Sequence, residues 1–545
     1  MGKKPDKLTL KQFVWLAFNY VVSPSFFTAI AIYINAKTNS GQGLGFWVFL
    51  VIFLTGLVAF VVARAFGKLA LKHKLSQNGA AYVFARTNLG RGTGLFVGFV
   101  QYCYIPFTLT NNAVSIIKGL FTEQFVGSMQ TNIYLGSFTD LYLDLIAIGI
   151  FVLAVFLVKH GIKWYRRISD GANIIRWVSF FLIVILSAAM AIAPSLSKGT
   201  NGSVNIKFWF QNSHITLGAI IGCFNAALFL FVGCELLATA GENIENAEKT
   251  ISRGFMIVIL LSIVYYLSML FVFMVGTQNF SENYNMGIWG SLHETFSKVP
   301  KKVLDGLFWS GIIITILGFV GARFFTIMSK GLMGATTLQP LACEGFFPDK
   351  IGRLDKNLIP SNACWMHMCI SVAFMFGWMI IPDIIKGAKI CNVDGFFPTY
   401  QQYDDNGGNK AIFSLSALSS FSAIIAIVIY ITTLIVSVKL TFNKKINCNI
   451  ADLIIFIFVI CLLFLVFVYH YYDLIGGAVK EIKTNTKHSE TITWNQTTKA
   501  TVELGTTLAI GLFFVIWFNT YYRIKIKNRP AAVQRKLDRE FVLQS

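Results

Sequence analysis

The twenty residues from Leu44 to Ala63 carry one polar side chain, Thr55, and the run from Leu453 to Val468 is apolar throughout. A helix rises 1.5 Å per residue, so about 20 such residues cross the roughly 30 Å hydrocarbon core of a bilayer. No water inside that core can satisfy a peptide group, so the backbone must close its own hydrogen bonds, as a helix does. Comparable runs recur at about 12–34, 44–66, 94–119, 141–158, 172–193, 215–240, 253–275, 304–332, 363–382, 411–438, 451–472 and 503–523. Charged residues make up 13% of the 545-residue chain, against roughly 25% in a soluble domain. The expected fold class is an all-α polytopic membrane protein with about twelve transmembrane helices.

The formal net charge of +20 invites a polyanionic partner, but the placement of the charges argues otherwise. Lys3, Lys4, Lys7 and Lys11 precede the first run. Lys68, Lys72 and Lys74 follow the second, and Lys163, Arg166 and Arg167 the fourth. Lys444 and Lys445 follow the tenth, and a basic tail follows the last. With the N-terminus inside, all of these fall on the cytoplasmic face, the asymmetry that orients membrane proteins. The charge therefore implies contact with an anionic inner leaflet rather than with nucleic acid. Residues 1–11 are basic and polar, and the first run is too long for a cleaved signal, so a plasma-membrane protein with both termini cytoplasmic is expected. The nine cysteines form no CxxC pair and the seven histidines show no metal-ligand spacing, so neither a disulfide framework nor a metal site is expected. No catalytic set or nucleotide-binding loop appears, and no enzyme activity or cofactor is expected.

Two runs are irregular. Ser23-Pro24-Ser25 sits mid-run in the first, where a proline removes a backbone donor at a cost of about 3 kcal/mol. Serine followed by proline is also a helix start, with Ser as cap and Pro in the first turn. Two readings are open: a packed kink, or two half-helices with the amides of Ser25, Phe26 and Phe27 facing a mid-membrane cavity that suits a carboxylate. The sixth run holds Gly233 and an ionisable Glu235. A carboxylate at that depth costs roughly 2.5–3.5 kcal/mol and is usually turned toward a cavity or a partner. Interruptions at matching places in two halves are the mark of an inverted-repeat transporter, here five helices plus five with two more at the C-terminus. The organisation expected is a tail (1–11), a transport core (12–438), two further helices (439–523) and a basic tail (524–545).

Three stretches carry a resemblance to the amino acid permeases of the amino acid–polyamine–organocation superfamily. Asn78-Gly79-Ala80-Ala81-Tyr82-Val83-Phe84 with Gly90 and Gly98 is similar to the family's GGxYxY segment at helix 3. Phe231-Val232-Gly233-Cys234-Glu235, then Glu242 to Asn246, is similar to F-x-G-x-E and E-x-x-N-P at helix 6. Cys343 to Pro348 is similar to the RDGxxP segment after helix 8. Two positions depart from the pattern: Ser23-Pro24-Ser25 stands for a GxG, and Ala247 for the proline. The resemblance implies an amino acid substrate bound by main-chain groups, with Ser23, Ser25, Phe26 and Phe27 on the helix 1 side. Carbonyls of Phe229, Phe231, Val232 and Gly233 would face the amine, Phe231 would gate the site, and Glu235 would lie beside it. Arg176 matches a basic residue early in helix 5 that takes a sodium ion's place in sodium-independent relatives; a residue snorkelling from the helix end is the competing reading. Arg323, inside an apolar run, calls for a partner, and Glu235 is the one expected. A coupling proton or a counter-substrate would drive transport. A polyamine or other organocation, facing Glu235, and a major-facilitator-type solute carrier remain alternatives. ARAFGKLALKHK loosely imitates the facilitator loop, but residues 241–252 are short for that fold's central loop.

Overall fold

A computed structural model describes residues 7–22, 43–75, 78–120, 139–159, 162–192, 215–276, 300–355, 358–381, 384, 415–446, 448–487 and 495–527. Fourteen α-helices are described. They are α1 (Leu10–Val21), α2 (Val48–Lys72), α3 (Ala80–Leu89), α4 (Arg91–Leu120), α5 (Thr139–Lys159), α6 (Ile162–Ile192) and α7 (Leu217–Phe231). They continue with α8 (Cys234–Leu237), α9 (Ala247–Gly276), α10 (Lys301–Cys343), α11 (Ser361–Met375), α12 (Leu415–Phe442), α13 (Ile450–Lys487) and α14 (Asn495–Tyr521). Each anticipated run overlaps one or more of them, with residues 23–34 of the first lying outside the described residues. Among the described residues, six helical segments are long and apolar enough to cross a membrane by length and composition: Gly45–Lys72, Ala247–Phe271, Lys301–Cys343, Ile424–Phe442, Ile450–Lys483 and Glu503–Ile524.

Local chemistry sets where the helices begin. At α1 the Gln12 side chain accepts the Thr9 amide (3.1 Å), and at α7 the Thr216 hydroxyl accepts the Ala219 amide (3.1 Å). Each satisfies one amide that a helix start leaves bare. Between α3 and α4 stands Gly90 at φ +103°, a conformation side-chain-bearing residues rarely adopt, and the chain turns there.

The core is built by α2 packing on α9, and by α10 packing on both α6 and α4, with α12 also against α4. Helices α13 and α14 pair with each other and join the core through α12 and α4. Two polar clasps hold them. Arg64 and Lys68 of α2 bind Asp452 of α13, the arginine at 2.8 Å. Trp517 and Tyr521 of α14 donate to the carbonyls of Phe346 and Glu344, each at 3.0 Å.

The three permease-like stretches, far apart in sequence, meet at one end of this core. Gly79 N–H donates to the Thr239 carbonyl (2.9 Å), and Asn78 Oδ1 accepts the Glu242 amide (3.3 Å). The Glu344 carboxylate gathers Tyr82 (2.9 Å), Arg86 (3.1 Å) and Arg91. Glu242 is half-buried here; burial raises its carboxyl above the ordinary range and Lys7 pulls it part of the way back.

Candidate functional site: the meeting of two helix ends

Helix α1 stops at Val21, one residue short of the Ser23-Pro24 step, with Val22 extended (φ −70°, ψ 91°). Helix α7 stops at Phe231; Val232 is extended (φ −71°, ψ 135°), Gly233 stands at φ +135°, and α8 starts again at Cys234. The irregularity read at Gly233 is thus a true interruption. Ser23, Ser25, Phe26 and Phe27 lie outside the described residues.

The two ends are joined. A Cβ built on Gly233 would run into the ring of Tyr20 in α1, so glycine is required by contact as well as by φ. The Tyr266 hydroxyl on α9 lies 2.8 Å from the Val21 carbonyl and 3.2 Å from that of Leu230, bridging the last turns of both helices. A second tie lies further along: Leu8 N–H donates to the Asn243 carbonyl (2.8 Å) and Glu245 N–H to that of Leu8 (2.9 Å). The segment entering helix 1 is thereby paired with the segment leaving helix 6.

Arg176 completes the α1 end. Its guanidinium donates to the carbonyls of Asn19 (2.7 Å) and Val22 (2.8 Å) and to Asn19 Oδ1 (2.6 Å), and Trp177 donates to the same Oδ1 (2.9 Å). Helix α6 begins ten residues before the expected span, so Arg176 sits deep in a helix at 8% exposure and does not snorkel from its end.

Glu235 is buried. It accepts the Gly233 amide (3.0 Å) and the Tyr430 hydroxyl (3.3 Å). Arg323 donates to Asn112 Oδ1 of α4 (2.8 Å). The partners of the carboxylate are therefore a backbone amide and a tyrosine, in place of the arginine expected from sequence. The reason is positional: Glu235 follows the break and faces α12, while Arg323 lies on the α10 face that packs on α4. Phe231 is fully buried, its ring edge-on to Tyr266 (centroids 5.4 Å), whereas Phe229 is half-buried in the last turn of α7. That last turn lacks the donors a continuing helix would supply, so its carbonyls are available for other partners.

Tyr266, Asn19 and Tyr430 carry no sequence signal, being ordinary residues in apolar runs. Lys330, two turns past Arg323 in the same run, is signalled by its charge. Removing the bridging hydroxyl with Tyr266→Phe orphans two carbonyls while keeping the ring; uptake is expected to fall roughly tenfold, equivalent to about 1.4 kcal/mol, with the purified protein's elution profile unchanged.

The end of α1 thus lies against the interruption between α7 and α8, inside an all-helical bundle with membrane-crossing segments, as in a polytopic membrane protein. A family model described as amino acid permease matches residues 26–528, and the chain belongs to that family: it is a secondary transporter of amino acids. The branched-chain amino acid permease BcaP of Lactococcus lactis subsp. cremoris (strain MG1363) is 21% identical over 399 residues, 70% of this chain and 78% of that one. The D-serine/D-alanine/glycine transporter of Escherichia coli (strain K12) is 23% identical over 342 residues, 60% of this chain and 64% of its own length. A manganese transporter of Eremococcus coleocola, known from crystal structures, covers 93% of this chain and 94% of its own at a TM-score of 0.50 and 15% identity, a likeness of fold alone.

Proposed function

We propose that the chain carries amino acids one at a time across the plasma membrane by alternating access, with the substrate held where α1 and α7 end. The joined helix ends carry this reading: Tyr266 ties Val21 to Leu230, and Gly233 lies on Tyr20, so a ligand seated there would touch the end of α1 and the break after α7. The substrate's carboxylate would meet the amides of Ser25, Phe26 and Phe27, and its amine the terminal carbonyls of α7, including those of Phe229, Phe231, Val232 and Gly233. Glu235, bonded to the Gly233 amide, steadies the break itself. Arg176 already supplies the positive charge on the α1 carbonyls, which supports transport without sodium and leaves a proton gradient or a counter-substrate as the driving partner. Both termini would be cytoplasmic, with the inside-facing basic clusters against anionic lipid.

The test is uptake into proteoliposomes of labelled branched-chain amino acids, alanine, glycine, serine in both configurations and acidic amino acids, under imposed proton, sodium or counter-substrate gradients. Saturable uptake that ignores sodium is expected. Uptake that requires sodium overturns the Arg176 assignment, and no transport of any amino acid by folded protein overturns the function.

A further inference from the structure

Helix α10 carries a second buried cation. Lys330 is 3% exposed, and among the described residues its ammonium has no hydrogen bond and no carboxylate; its contact is the ring of Tyr104 on α4, 5.8 Å from Nζ to the centroid. That is the outer limit of a cation–π contact, too weak by itself to offset the burial of a charge. Three residues before Tyr104 on the same helix, Gln101 is fully buried, and neither its amide nitrogen nor its oxygen has a partner among the described residues. A helix turns about 100° per residue, so Gln101, Tyr104, Thr108 and Asn112 form one stripe along α4. Opposite that stripe on α10 stand Arg323, bonded to Asn112, and Lys330, seven residues further along and on the same face. Thr108 is satisfied within its own helix, donating to the carbonyls of Tyr104 and Ile105. The buried acid of this region, Glu235, takes its bonds from Gly233 and Tyr430.

A buried lysine over the Tyr104 ring, one helical turn along α4 from an unpaired carboxamide and hydrogen-bonded to no carboxylate among the described residues, fits one kind of guest: an anion that also accepts hydrogen bonds from an amide. We infer that Lys330, Gln101 and Tyr104 form a carboxylate subsite, separate from the helix ends, that takes the side-chain carboxylate of an acidic amino acid. Lys330 supplies the charge, the Gln101 amide nitrogen a directed donor, and the Tyr104 ring closes one side. The α-carboxylate of any substrate passing through the seam has the same chemistry, and the two sources are separated by experiment. This inference rests on the transporter reading above, but its binding arm does not depend on transport.

Two measurements are made on the full chain, unaltered and with Lys330→Met or Gln101→Leu: thermal stabilisation of the detergent-purified protein by glutamate, glutamine and alanine, and initial uptake rates of the three in proteoliposomes. For a side-chain site, the glutamate-to-glutamine ratio in both readouts falls about tenfold or more in Lys330→Met and several-fold in Gln101→Leu. For the α-carboxylate in transit, apparent affinity for all three amino acids falls together by a similar factor. Either pattern supports the subsite. Ratios and affinities unchanged within about twofold in both variants overturn it. Should Lys330→Met not fold, Gln101→Leu decides alone. Should the unaltered protein transport none of the three yet be stabilised by glutamate in a Lys330-dependent way, the transport reading fails and the subsite stands.

Discussion

Valine in place of Gly233 is expected to abolish amino acid uptake, by more than about 100-fold, while the protein still inserts and purifies as the unaltered chain does. Two effects act together. At φ +135° a β-branched residue is far outside its allowed backbone regions, and holding such a residue there costs about 1–3 kcal/mol. In addition, a Cβ at this position overlaps the ring of Tyr20, and Tyr20 belongs to the helix end that Gly233 must lie against. The chain therefore relaxes by turning the Val232–Gly233 step and pushing α7 from α1, which also pulls the Leu230 carbonyl from Tyr266 and the Gly233 amide from Glu235. Outside this step α7 packs on α2, a contact the substitution leaves intact, so folding should survive where transport does not. Gly233→Ala separates the two causes: paired with Tyr20→Ala it removes the overlap and keeps the strained φ. Recovery of a tenth or more of uptake in the double variant would assign the loss mainly to the collision with Tyr20, and no recovery to the backbone. Unaltered transport in Gly233→Val would show that the interruption of α7 has no part in the cycle.

The break at Gly233 was legible because glycine and a carboxylate are both out of place in an apolar run, and the structure interrupts the helix at that spot. The helices that the structure describes under the apolar runs were legible for a related reason, since hydropathy reports the slab of hydrocarbon a segment must cross. It does not report where a helix ends. Helix α6 starts at Ile162, ten residues before the apolar stretch, and α13 runs on to Lys487, because polar helical turns keep their backbone bonds in water as well; α10 runs on to Cys343 because its last turns are buried within the core. That offset matters for the site: with α6 begun at 172, Arg176 looks terminal and free to snorkel, whereas in the full helix it is well inside. Pairings were less legible than positions. Glu235 and Arg323 are the two conspicuous charges of their runs, and opposite charges in hydrocarbon invite pairing, but their neighbours are chosen by which face each helix turns to the core. Glu235 meets Tyr430 and Arg323 meets Asn112. Tyrosine and asparagine in a chain rich in both carry no mark of such a role.

Arg176→Met should be nearly as damaging as the change at Gly233, and its rescue pattern is the more informative. Methionine keeps much of the stem's volume and removes every donor. The carbonyls of Asn19 and Val22 and the Asn19 side chain then lose their cation, with Asn19 Oδ1 retaining Trp177. Breaking a buried charge contact of this kind costs about 3–5 kcal/mol, which as lost population of the competent site is a fall of roughly 150-fold to several thousandfold in uptake. Lysine restores the charge but not the fork: one ammonium reaches a carbonyl, whereas the guanidinium spans two carbonyls and a carboxamide. Arg176→Lys is therefore expected to recover only part of the rate. If the guanidinium stands where a metal ion otherwise would, the site emptied in Arg176→Ala should accept a small cation from solution, and its residual uptake should rise with sodium although that of the unaltered protein does not. Measuring initial rates at constant ionic strength with sodium replaced by choline decides this. Full activity in Arg176→Met would reduce the arginine to a structural cap on α1, whereas sodium stimulation confined to Arg176→Ala would tie the carbonyls of Asn19 and Val22 to the coupling step itself.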